Sequence, residues 1–445
     1  MRHPFGYVRV SARHERQGRI AMRLPSEDSP DRAASGCPIT GLGADFNPFV
    51  DPYLASPYPF WLRARAEEPV FYCPEIDYWV VTRYADVKAI FADPKAFSAS
   101  NVQNPIAPLS PKVVTILREG GFGAVPAMSN ADPPTHTRIR KFTGQAFTPR
   151  RVAKLETDIR AIVTKFLDEI EPRRSADLVR DMVYELPVLV LFIFLGMPSA
   201  DVARVKSWAK NRLMLTWGHL SEAEQIIEAK GLLEYWRYSL QHVERLIENP
   251  PDNFVGDLIR ARDGDERILS IAEIATVVYG LLIAGHETTT SLTASAVVNL
   301  LEHRAAWDEL CAKRDLIPNA IEEILRYDTS VITWRRRAIR AVEIGGVKIP
   351  ENANLLLAIG SANRDEAEFP RSGEFDIHRG NAKEHLAFGF GIHYCFGAPL
   401  ARLELKVILE ELTRRIPGMR LAPNQAFTYS PNISFRGPQR VLVEW

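Results

Sequence analysis

The chain has 445 residues, 46% of them hydrophobic, with 55 basic and 55 acidic side chains and no formal net charge at pH 7. That length can bury a large core and by itself suggests two or three domains. The charge balance excludes a global field that would steer the protein to nucleic acid or an anionic membrane, so neither is expected as a partner.

In chain order, residues 1–36 are polar and arginine-rich and lack the apolar core of a secretion signal, so a disordered extension is expected there. Residues 78–82 form a short β-rich run, followed by a helical pattern over 86–91. Residues 99–126 carry Pro105, Pro108, Pro111 and Gly120-Gly121 and read as a long, partly helical loop, a kind of segment usually kept for function. Helical periodicity then runs over about 134–147, 150–171, 178–195, 199–217, 222–248, 254–263, 270–302 and 305–327. Asp132 ahead of Pro133 and Pro134 is expected as an N-cap with a proline in the first turn, and Ser270 with Glu273 as a capping box. The apolar stretches 186–197 and 274–285 fall short of the roughly 20 residues a membrane span needs and are expected as buried core helices. After Arg337 the character changes: 342–349 and 354–359 read as strands, about 398–415 as a last helix, and the tail to Trp445 as short strands. The fold class expected is mainly α with small β-sheets (α+β).

Four cysteines occur, Cys37, Cys73, Cys311 and Cys395. They are far apart with no CxxC pair, which favours a reducing, cytoplasmic setting. Cys395 stands out by its surroundings, Phe388-Gly-Phe-Gly-Ile-His-Tyr-Cys-Phe-Gly397. Three glycines let the backbone fold tightly and approach a flat ligand, and a cysteine just before a helix N-terminus sits among unpaired N–H groups that favour thiolate. No second cysteine or histidine lies at zinc-ligand spacing. A thiolate of this kind suits haem iron.

This segment resembles the haem-binding loop of the cytochrome P-450 family. The resemblance implies that Cys395 is the metal ligand of a haem b (iron protoporphyrin IX), that His393 meets a propionate, and that Phe388 and Gly397 complete the cofactor-binding loop. Ala284-Gly-His-Glu-Thr-Thr289, in the middle of the longest helical pattern, is similar to the family's oxygen-activation motif. By that match Glu287 and Thr288 are the catalytic acid–alcohol pair that guides protons, while His286 holds the variable position and receives no role. Gly285 inside a helix costs up to about 1 kcal/mol against alanine, so a close ligand or a local opening of the helix is expected there. Glu323 and Arg326 have the spacing of an ordinary surface ion pair; the family's motif reads them instead as a buried pair joined by Arg379, a structural trio that holds the cysteine loop. His136 and Arg140 are four apart on one helix face and would repel unless an anion lay between them; the family's His-x-x-x-Arg segment implies that haem carboxylates do so. A third basic contact is expected from Arg335, Arg336 or Arg337, with strand alternation and family spacing favouring Arg336.

The likeness covers about residues 37–445 and replaces the multi-domain expectation with one haem domain. It extends to a bacterial subgroup with self-sufficient members fused to an FMN and iron–sulfur reductase. It implies a monooxygenase that inserts one oxygen atom from O2 into a small, uncharged organic substrate, aromatic compounds included, by hydroxylation or oxidative dealkylation. Electrons would come from a ferredoxin or from an FMN/2Fe-2S reductase. Segments 102–109, 213–217, 281–284, 331–333 and 432–433 are expected near substrate. Arg138, Lys141, Arg150, Arg151, Arg402 and Lys406 are expected to form a basic docking face for an acidic donor. Two rival readings are a peroxide-using or rearranging haem-thiolate enzyme and a non-catalytic haem sensor.

Overall fold

A computed structural model describes residues 40–445; the extension expected over 1–36 and the Cys37-Pro38 pair lie outside the described residues. Helices dominate, with small sheets beside them. Pro149–Ile170 buries Val152, Leu155, Ile159, Val163 and Leu167 along one stripe, and the Thr148 hydroxyl caps it by accepting the Arg151 amide. Ile271–Ala284 begins with the expected capping box, Ser270 and Glu273 each accepting the other's amide. The long loop after residue 99 holds one helix, Pro111–Glu119, capped by Ser110. Ala398–Arg415 follows the cysteine loop directly.

Several expectations are corrected. Asp132 does not cap the helix Thr135–Ala146, which starts after Pro134 with no side-chain cap. Two prolines in succession delay the start, and the Asp132 carboxylate instead accepts the Ala99 amide at 2.9 Å and the Ser98 hydroxyl. The pattern over 270–302 is two helices, Ile271–Ala284 and Glu287–Glu302, broken at Gly285-His286. The pattern over 305–327 is also two, Arg304–Ala312 and Ile317–Tyr327, with Pro318 opening the second. The stretch 178–195 splits into a widened turn, Val179–Val183, and Leu186–Leu195, because Pro187 has no amide proton to continue one helix. The strand Asn354–Leu357 ends two residues early, where Ile359–Ala362 turns helical.

The main sheet has the order Val70–Cys73, Tyr78–Val81, Asn354–Leu357, Trp334–Ala338, Phe97–Ser98. Tyr78–Val81 and Asn354–Leu357 run parallel with Val80 opposite Leu356, and the other pairs are antiparallel. Arg336 lies opposite Leu355 in this register, so Arg335 and Arg337 point to the other face. Val342–Ile344 and Val347–Ile349 form a separate hairpin turning on Gly345-Gly346, both left-handed. The chain end closes a third sheet, in which Leu442–Glu444 pairs with Ser175–Asp177 and Arg420–Leu421.

The expected trio forms beneath the helices. Glu323 and Arg326, both fully buried, make a two-pronged pair with both N–O distances at 2.7 Å. Arg379 adds its Nε at 3.1 Å from Glu323 Oε2. Both guanidiniums also donate to carbonyls of the 363–374 segment, tying it to the helix Ile317–Tyr327. Among the described residues, no helix is long and apolar enough to cross a membrane.

Candidate active site

The cysteine loop is closed by the Cys395 amide, which donates to the Phe388 carbonyl at 2.8 Å. Gly389 and Gly391 adopt left-handed conformations, φ +68° and +72°. A Cβ on Gly391 would sit 2.5 Å from the Phe91 carbonyl oxygen, so space and backbone both demand glycine there. Gly397 is different: its φ is an ordinary −81° and it stands at the N-cap of Ala398–Arg415. Its amide and that of Ala398 hydrogen-bond toward the Cys395 sulfur. Burial nevertheless pushes the Cys395 thiol up, outweighing these amides and the nearby Arg140 and Arg402. The helix N-terminus expected to favour thiolate is present, but it does not by itself win. A coordinated metal cation would reverse that balance outright. The Arg402 guanidinium lies 4.6 Å over the Phe388 ring and is held by Glu322, which also accepts from His385.

Next to this loop four groups able to carry positive charge converge. The His136 and His393 rings lie 4.1 Å apart. Arg140 donates to the Tyr394 carbonyl at 2.6 Å. Arg336 is buried, donates to the Arg335 carbonyl at 2.8 Å and lies over the Phe91 ring. Burial, then the Arg140 charge, holds His136 down to about 4. Burial, then Arg336 and His136, holds His393 down to about 3, and burial brings Arg336 to about 10. None of the four has an ion-pair partner among the described residues; Asp132, whose charge acts on His136 and Arg336, has its carboxylate engaged by Ser98 and Ala99. Both ring nitrogens of the buried His136 lack a hydrogen-bond partner among the described residues. Buried polar groups left this way are costly, so the cluster is shaped for an anion with carboxylate chemistry. Arg335 is turned away, donating to the carbonyls of Val102 and Asn104, which leaves Arg336 as the strand arginine beside the two histidines.

At the helix break the Thr288 hydroxyl donates to the Ala284 carbonyl at 2.7 Å. Ala284 is exposed although Leu282, Ile283 and Thr289 around it are buried, so the break faces open space. A Cβ on Gly285 would meet Leu191 at 3.1 Å, and close packing against the Leu186–Leu195 helix accounts for this glycine. Glu287 opens the second helix, in the first turn where the dipole favours an anion. Burial alone would raise its carboxyl, but the hydrogen bond from His286 Nε2 at 2.9 Å and the Lys206 ammonium 3.8 Å away hold it down to about 2.

Sequence reasoning missed His286 and Lys206. A signal existed for Lys206: on Val202–Trp217 it falls on the buried stripe with Val202, Val205, Ala209 and Leu213, where a lysine needs a partner. The five apolar segments expected near substrate do assemble. The Ile106 amide reaches the Thr216 carbonyl, the Ile433 amide the Trp217 carbonyl, and the Ile332 amide the Ser434 carbonyl, while Ile106, Leu213, Trp217, Ile283 and Ile433 share one buried cluster.

The Cytochrome P450 family model matches residues 208–416. The chain is 34% identical to mycinamicin IV hydroxylase/epoxidase of Micromonospora griseorubida over 82% of its own length and 89% of that protein. It is similar to the solved structure of cytochrome P450 CREJ in complex with (4-ethylphenyl) dihydrogen phosphate, at 42% identity and TM-score 0.87, covering 91% of this chain and 100% of that one. An intact type IV self-sufficient cytochrome P450 monooxygenase superposes with TM-score 0.88 at 38% identity, covering 92% of this chain but 54% of that longer one. The cofactor of these proteins is haem b bound through a cysteine thiolate, their reactions use O2 and a redox partner, and the carboxylate-seeking cluster beside a cysteine is the chemistry such a cofactor needs. The chain belongs to the cytochrome P450 family and is a haem-dependent monooxygenase.

Proposed function

We propose that Cys395 is the haem thiolate ligand, that His136, Arg140, Arg336 and His393 hold the propionates, and that Phe388 and the Gly397 amide support the sulfur. The observation that carries this reading is His136, buried with two ring nitrogens unpartnered among the described residues, in a cluster with Arg140, Arg336 and His393 beside the cysteine loop. When bound, the haem supplies the oxygen chemistry, and the thiolate donates electron density that promotes O–O cleavage. The chain's own residues do the rest. The apolar cluster of Ile106, Leu213, Trp217, Ile283 and Ile433 excludes water and orients substrate. Thr288, with its hydroxyl at the open side of the helix break, and Glu287 hand protons inward. The substrate is a small organic molecule, aromatic by analogy with the aryl compound bound to the CREJ structure, and the reaction is hydroxylation or oxidative dealkylation.

The electron donor is a ferredoxin or an FMN/2Fe-2S reductase, in keeping with the self-sufficient relative. The docking face is narrower than the six basic residues expected. Arg138 is paired with Glu273, Arg151 with Asp257, Arg402 with Glu322, and Lys406 with Glu156 and Glu410. Lys141 and Arg150, which have no acidic partner among the described residues, and the exposed Phe390 and Tyr394 of the cysteine loop are the better contacts. Binding there should weaken as salt rises. Residues 37–445 act as one haem domain, and Cys73, Cys311 and Cys395, unpaired among the described residues, suit a cytoplasmic setting.

Hemin titration of the haem-free protein tests the carrying observation. His136→Ala with Arg336→Ala should weaken hemin binding by about tenfold or more, since charge-assisted hydrogen bonds contribute about 1.5–3 kcal/mol each. Unchanged affinity would remove the propionate assignment. Turnover with peroxide alone, matching that with an electron donor, would favour the peroxide-using reading instead.

A further inference from the structure

His286 and Lys206 are both buried against Glu287, the residue assigned to proton transfer. His286 is fully buried and Lys206 is 1% exposed. Each sits where its residue type is costly without a purpose. His286 occupies the gap between the two halves of the broken helix, with φ −121° and ψ −43°, and its amide reaches only the Ile283 carbonyl at a long 3.4 Å. A helix that ran on without interruption would carry residue 286 in regular geometry. Here the backbone departs from the helix, and the ring's Nε2 lies 2.9 Å from Glu287 Oε1, on the adjacent residue. Neighbours in an unbroken helix point about 100° apart and do not meet this way.

We propose that His286 is a positioning residue for the proton-transfer step: its Nε2–H, opposite the Lys206 ammonium, holds the Glu287 carboxylate turned toward the Val202–Trp217 helix. The inference rests on the proton-transfer reading of Glu287 given above.

The geometry gives each partner a distinct role. Burial, then the Lys206 charge, keeps the His286 imidazole neutral, so it has a single N–H to give. A carboxylate at 2.9 Å can only accept, which places that proton on Nε2. Lys206 Nζ is 3.8 Å from the same oxygen and has no hydrogen-bond acceptor within reach among the described residues, while the Tyr184 ring centre lies 3.6 Å from it. It therefore acts by charge and cation–π contact, and the hydrogen bond that fixes direction comes from His286 alone. Glu185 and Lys210 also act on this group from the flanking elements, and Tyr235 feels the Glu287 charge from the Glu222–Leu246 helix. A carboxylate held this way rests ionised and is free to take up a proton only as it swings from His286. The histidine thus governs when the carboxyl is loaded, without touching substrate or cofactor.

The test uses the haem-loaded protein and two readouts. Infrared spectroscopy of the resting ferric protein at neutral pH reports whether Glu287 is ionised, with Glu287→Gln identifying its bands. Product formed per electron consumed reports coupling. His286→Leu should introduce a protonated-carboxyl band absent from the parent and lower coupling several-fold, and His286→Gln, which keeps an N–H donor, should restore both most of the way. If His286→Leu folds poorly, Lys206→Gln provides a second perturbation of the same carboxylate: its band should rise partly while His286 remains. An ionised Glu287 and parental coupling in His286→Leu overturn the proposal. Parental coupling in Glu287→Gln overturns it differently, by removing the role of Glu287 itself, and the infrared band then still reports whether His286 positions that side chain.

Discussion

Glu323→Gln removes one negative charge from between two buried guanidiniums. Glu323 Oε1 accepts from Arg326 Nη2 at 2.7 Å, the Asp376 amide at 2.9 Å and Arg379 Nε at 3.3 Å, and Oε2 accepts from Arg326 and Arg379 at 2.7 and 3.1 Å. All three side chains are less than a tenth exposed. A glutamine retains one acceptor oxygen but turns an NH2 donor against N–H donors and leaves both cations uncompensated. Breaking a buried pair in this way costs about 3–5 kcal/mol, a large share of the roughly 5–15 kcal/mol that stabilises a domain. Urea titration should show a folded-to-unfolded ratio lowered by roughly two powers of ten or more, together with poor haem retention, because the 363–374 segment is tied down by these arginines. Glu374→Gln is the control, since its exposed pair with Arg371 should matter by no more than about 0.5 kcal/mol. A Glu323→Gln protein within about 1 kcal/mol of the parent would refute the reasoning.

Three further outcomes follow from the site. His136 has its folded pKa depressed from 6.5 to about 4, so the unfolded chain binds more protons between those values. Its contribution to the haem-free protein is complete above pH 6.5 and lost as pH falls toward about 4; urea midpoints across that window should fall less steeply in His136→Phe. Thr288→Ala should keep haem and fold but divert reducing equivalents to peroxide, measured as peroxide per electron donor consumed; tight coupling would remove Thr288 from the mechanism. Gly391→Ala must move the Phe91 carbonyl and force an L residue to φ +72°, so it should lose haem occupancy, whereas Gly397→Ala, whose Cβ would meet only the Cys395 sulfur at 4.0 Å, should retain more.

Much of this was legible before any coordinates, for reasons that differ by element. Ser270 with Glu273 and the apolar stripes are local signals, so the capping box and the helical segments were legible in the sequence. The three long patterns split for different reasons: Pro187 and Pro318 each open a new helix, whereas at Gly285-His286 the apolar pattern runs on while the backbone departs from the helix. Asp132 misled for the complementary reason, its carboxylate being claimed by Ser98 and Ala99, 34 and 33 residues away in sequence. At the site, His136 and Arg140 share one helix while Arg336 and His393 come from two other segments, and the meeting of the three segments could be anticipated only through family likeness. His286 escaped notice because its position looks variable in the motif; its meaning lies in a side-chain contact that an intact helix would forbid.

The central claim is sulfur ligation by Cys395, and the reduced carbonyl complex of the purified protein tests it most directly. The parent should show the red-shifted Soret band characteristic of a thiolate ligand, and Cys395→His should bind haem with that band replaced by the shorter-wavelength band of an imidazole ligand. A Cys395→His protein whose carbonyl spectrum matches the parent would contradict the claim.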